Sequence, residues 1–195
     1  MIKKTARAIT LWTSKYSPLG EVEERVICYG VETFLESIMA IGMFIFIGIG
    51  IGRGMETAIS LLGFGILRTQ AGGFHCEKKW NCRSCMLLLL GLSLCMGELT
   101  EFSVMMRSVL FLLMGGITWI LAPVDGKKNK IRDEAVRRRK RKMAEIILII
   151  GYVFTFFMTA KLSTAFTAAL LFEIYTLLPK EDKKKWKKLE EEVQR

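Results

Sequence analysis

Apolar runs and basic stretches alternate along this chain, and that segregation limits what it can fold into. Residues 38–51, 86–96 and 146–157 are almost wholly apolar, whereas 127–142 and 180–188 are dense in Lys and Arg. At 51% hydrophobic residues in 195, the chain is too apolar for a disordered polymer. Its net charge of +10 sits in blocks between the apolar runs. The pattern weighs against a soluble globular domain and a nucleic-acid module. It predicts an all-α, polytopic integral membrane protein forming one domain over residues 1–195.

Residues 1–30 carry Lys3, Lys4, Arg7, Lys15 and Arg25 but no apolar core leading to a small-residue cleavage site, so they do not read as a signal peptide. Ile2, Ala6, Ile9 and Thr13 recur at helical spacing, with Leu11, Trp12 and Tyr16 beside them. This predicts an N-terminal amphipathic helix at the membrane surface.

Six apolar segments follow: 31–52, 55–67, 85–97, 103–122, 144–160 and 162–178. A hydrocarbon core about 30 Å thick takes about 20 helical residues at about 1.5 Å each. The first and fourth segments suffice, and the last two lie at the short end. The second and third reach only about 20 Å unless polar residues at their ends are included. With six crossings and the N-terminus inside, the inner stretches 1–30, 68–85, 123–143 and 179–195 hold 26 of the 29 Lys and Arg. Basic residues beside spans stay in the cytoplasm, so both termini are expected there. A four-span version, in which segments two and three do not cross, would place Arg68, Lys78, Lys79 and Arg83 outside. Within the spans, Glu32, Glu36, Arg107 and Glu173 are costly charges and candidate functional residues. Arg107 is expected to reach toward Glu101 or the headgroups, and no direct pair with Glu173 is expected.

The chemistry-bearing stretch is the polar connection 68–85. It holds the single histidine, His75, and Cys76, Cys82 and Cys85 among the five cysteines. Nucleophilic work needs a thiolate and a nearby imidazole. Asn81 reads as an N-cap that places Cys82 in the first turn of the following helix, where the dipole favours an anion, and Arg83 adds positive charge. His75 and Cys82 are seven residues apart, about 10.5 Å on a straight helix, so the chain must fold back between them. Gly72-Gly73 and the polar run Glu77-Lys78-Lys79 are compatible with a break. The competing reading is a zinc site of His75, Cys76, Cys82 and Cys85, built on Cys82-x-x-Cys85. A third reading makes the cysteines small interfacial residues. Cys28 and Cys95 read as packing residues.

These residues resemble the accessory gene regulator protein B (AgrB) family, membrane-embedded cysteine endopeptidases of bacterial quorum sensing. The resemblance rests on Arg68-x-x-Ala71-Gly72-Gly73-x-His75 with Cys82 seven residues on, on Tyr29-Gly30-x-Glu32, and on Ala122-Pro123-Val124-Asp125 followed by Lys128-Asn129-Lys130. It implies Cys82 as nucleophile and His75 as general base and acid, acting on an AgrD-like propeptide. The propeptide's tail would leave on formation of an acyl-enzyme thioester, and a cysteine or serine of the propeptide would then close a thiolactone or lactone. Glu32, or failing it Gln70, would orient the imidazole. Arg68, Gly73, Lys128 and Lys130 become candidate substrate contacts. The resemblance also implies a homodimer in the bacterial cell membrane; from the residues themselves no cofactor or metal is expected. The basic run 137–142 reads as a topology anchor on anionic lipid, or as a contact for an acidic propeptide tail. The reading from a different class is a small transporter or exporter subunit whose intramembrane charges line a path.

Overall fold

The computed structural model describes residues 2–16, 20–72, 79–124 and 133–178, with the side chains of Glu21 and of residues 79–83 excepted. Among them the secondary structure is helical apart from one isolated bridge: α1 (Ile2–Tyr16), α2 (Glu21–Gly50), α3 (Gly54–Ala71), α4 (Lys79–Leu99), α5 (Val104–Leu121), α6 (Glu134–Phe154) and α7 (Ala160–Tyr175), with a 3-10 turn at Thr155–Phe157. Two compact units divide the chain after Ala58.

In the first unit, α1 packs on α2. Ala6 and Thr10, one turn apart, are buried, while Leu11, Trp12 and Tyr16 are exposed. Residues 1–30, read as carrying an amphipathic helix, hold α1 and the first ten residues of α2. Pro18 lies beyond the end of α1, outside the described residues, and α2 starts at Glu21. Its start is set by an acidic first turn, where Glu23 accepts from the Gly20 amide at 3.2 Å.

In the second unit α7 is the central element, with Ala165, Ala168, Ala169, Leu170 and Ile174 all buried. Helix α4 runs antiparallel to it. Gly97 meets the Lys161 carbonyl and Ala165, Lys161 pairs with Glu98 at 2.9 Å, and Met86, Leu89 and Leu90 lie near Ala169 and Phe172. Gly97 lets the backbones approach closely, since a Cβ there would come within 2.7 Å of the Lys161 oxygen. Helices α5 and α6 form a second antiparallel pair, in register from Ser108–Tyr152 (2.7 Å) through Gly115–Glu145 to Ala122–Arg141. The core joins Leu67, Met114, Ala144, Leu148, Leu170 and Ile174.

The two segments of 13 residues fall within helices of 18 and 21, about 27 and 32 Å long, because the polar flanks are helical too. Helix α6 includes the basic run and starts ten residues before the expected segment, with Asp133 as N-cap. Arg107 also departs from expectation. It turns inward, donating to the Thr155 carbonyl at 3.0 Å and lying 5.8 Å from the Phe156 ring.

Helices α2 (over Val22–Gly50) and α5 are long and apolar enough to cross a membrane. On α5, Leu112 and Ile120 are 77% and 76% exposed, and on α2 Phe46 is 78% exposed. Such bands cost about 25 cal/mol per Å² in water and nothing comparable in lipid.

Candidate active site

The polar connection expected to carry chemistry begins where α3 ends, and Gly72 ends it. Its φ of +80° lies in the left-handed region, and its amide bonds back to the Arg68 carbonyl at 3.0 Å. Val124, just beyond α5, runs alongside: its amide donates to the Ala71 carbonyl at 2.9 Å, forming an isolated bridge between Gly72 and Val124. A Cβ on Gly72 would collide with the Val124 carbonyl oxygen. Glycine is needed here for both its backbone angle and its lack of a side chain. The break expected at Gly72-Gly73 is therefore present at Gly72, and two short motifs separated by four dozen residues meet there.

One ion pair and two arginine–carbonyl hydrogen bonds hold this junction. Arg68, one turn before Gly72, places Nη1 3.1 and 3.4 Å from the two carboxylate oxygens of Glu173 on α7. Glu173 is fully buried and the Arg68 side chain only 15% exposed. The Phe64 ring lies 5.8 Å from the guanidinium. On the other side, Arg141 Nε of α6 donates to the Ala122 carbonyl at 2.9 Å, and Arg137 reaches the Pro123 carbonyl at 3.5 Å. The last carbonyls of a helix have no intrahelical partner, and for the C-cap Ala122 Arg141 supplies one. Arg141 of the basic run thus satisfies the C-cap carbonyl of α5, and Arg137 the carbonyl of the residue after it. Arg138 remains exposed, in a surface pair with Glu134 that contributes little.

The sequence-derived candidates divide by location. Gly73, His75, Cys76, Lys128 and Lys130 lie outside the described residues. Cys82 falls within the helical backbone of α4, which starts at Lys79. Asn81 is consequently the third helical residue instead of the cap, and Cys82, expected directly after the cap, is the fourth. Gln70 is half-buried on the last turn of α3, its amide nitrogen 3.3 Å from the Thr69 hydroxyl. Glu32 is half-buried on α2, in the first unit. Cys85 and Cys95 are exposed and Cys28 is half-buried, all outside disulfides. Cys95 therefore does not pack inside the chain, contrary to its expected role.

The Arg68–Glu173 pair was not legible beforehand, although both residues stood out singly. They are 105 positions apart, and Arg68 next to a span is equally a basic anchor. Glu173 as a buried intramembrane carboxylate was the available signal, because such a group calls for a cation.

Residues 3–177 match the model of the family described as accessory gene regulator B. The chain belongs to the AgrB family. It is 23% identical over 180 residues to an AgrB-like protein of Clostridium acetobutylicum, a stretch covering 92% of this chain and 86% of that protein. It is 28% identical over 164 residues to an AgrB-like protein of Clostridium perfringens SM101, covering 79% and 75%. No solved structure matches the chain. Family membership and the apolar helices α2 and α5 mark this AgrB-family chain as a membrane protein.

Proposed function

We propose that this protein is a membrane-embedded cysteine endopeptidase that removes the C-terminal tail of an AgrD-like propeptide and promotes its cyclisation. The observation that carries the reading is the family match over residues 3–177, which spans His75 and Cys82. It is supported by the glycine-made break three residues before His75 and by the start of α4 three residues before Cys82.

In this mechanism the Cys82 thiolate, favoured by the N-terminal turn of α4, attacks the carbonyl before the tail. His75 takes the thiol proton and returns it to the departing amine, so the peptide C–N bond breaks as the thioester forms. A propeptide thiol or hydroxyl then displaces Cys82, closing a ring while His75 takes that group's proton and delivers it to the released Cys82 sulfur. Exclusion of water favours this exchange over hydrolysis. Glu32 or Gln70 orients the imidazole, and Gly73, Lys128 and Lys130 contact the propeptide. The protein works as a homodimer, one membrane domain of about six helices behind an N-terminal amphipathic helix. Both termini are cytoplasmic, with the remaining basic residues of 137–142 on anionic lipid.

Cys82→Ala and His75→Ala are each expected to lower cleavage of a co-expressed propeptide by about a thousandfold or more while membrane levels hold. Mass spectrometry of the released tail and ring reads this directly. Full processing by Cys82→Ala would end the proposal.

A further inference from the structure

The ion pair between Arg68 and Glu173 has a fully buried carboxylate and a guanidinium only 15% exposed. Buried pairs are poor stabilisers compared with apolar residues of the same volume, because desolvation offsets much of their attraction. In some proteins such a pair serves instead to select one geometry. Here that geometry is the last turn of α3, tied to α7 through Glu173 and to the end of α5 through the Val124–Ala71 hydrogen bond. His75 follows Arg68 by seven residues and Gly72 by three.

We propose that Glu173 is a positioning residue for the thiol chemistry: by holding Arg68 it fixes where and in what direction the chain leaves α3 toward His75. On this account the Arg68 guanidinium is a tether within the protein and not the clamp on the propeptide that its motif suggested. The inference rests on the proposed endopeptidase reading.

The test uses full-length protein in liposomes of bacterial lipid, with Cys28, Cys76, Cys85 and Cys95 replaced by alanine so that Cys82 is the sole thiol. Two quantities are read in this parent and in Glu173→Gln: propeptide cleavage, and the pH profile of Cys82 alkylation by iodoacetamide. Misplacement of a catalytic group by about 1 Å can cost about a hundredfold, so kcat is expected to fall tenfold to a hundredfold with KM within about twofold. The alkylation profile should move toward higher pH, toward that of His75→Ala, which a loss of stability alone would not produce. Glu173→Asp, which keeps the charge, should recover part of both. Should Glu173→Gln fail to accumulate, the exchanged pair Arg68→Glu with Glu173→Arg takes its place, and cleavage well above that of Arg68→Glu alone supports the tether. Unchanged kcat and alkylation profile in Glu173→Gln, with both lost in His75→Ala, would overturn the tether and leave the endopeptidase standing. An exchanged pair that accumulates but stays as inactive as Arg68→Glu alone would do the same. Cleavage retained by His75→Ala would remove the endopeptidase and the tether together.

Discussion

Gly72 shows how much one residue decides. A left-handed backbone costs a side-chain-bearing residue about 1–2 kcal/mol, and a Cβ at this place also meets the Val124 carbonyl. Gly72→Ala is therefore expected to destabilise the protein by at least about 1–2 kcal/mol, read as a lower unfolding midpoint in detergent micelles. Gly65→Ala, with nothing near its absent Cβ, is the control. At this scale the sequence was only partly readable. His75 and Cys82 stood out through residue type and spacing, and Gly72 through its glycine pair. The partners of Arg68 and Arg141 were hidden, because each contact joins two different elements, 105 and 19 positions apart, and no local pattern encodes it. Arg107 was misread for the same reason: a basic residue near a span end snorkels or turns inward according to a neighbour supplied by another helix.

Among the elements, the helices follow the apolar segments closely in number and order, and depart from them at their ends. Apolar periodicity marks the part of a helix that meets core or lipid. It says little of polar turns such as Glu134–Arg141, which are helical because of Asp133 as N-cap and strong helix formers. The crossing of α4 on α7 depends on Gly97. A side chain there must displace the Lys161 backbone, so Gly97→Val is expected to cost about 1–3 kcal/mol, again measured as the unfolding midpoint. Gly91→Val on the same helix meets open space within the chain and should cost no more than the ordinary loss of helix propensity.

For the whole molecule, the alternation of apolar and basic segments was the most informative property of the sequence. It anticipated both the all-helical structure and the apolar side chains left exposed along α2 and α5. The proposed orientation has its own test. With Cys82 as sole thiol, a membrane-impermeant maleimide is expected to leave it unlabelled in intact cells and to label it after permeabilisation; labelling in intact cells would reverse the orientation. The Gly72–Val124 bridge adds a rule of parity. Two residues in contact at helix ends lie on the same side of a bilayer, so the chain between them crosses it an even number of times. Among the described residues only α4 and α5 lie between, so in the proposed membrane arrangement both cross or neither does. The four-span arrangement, which lets α5 cross without α4, would set Gly72 and Val124 on opposite faces, a separation that their hydrogen-bonded contact forbids.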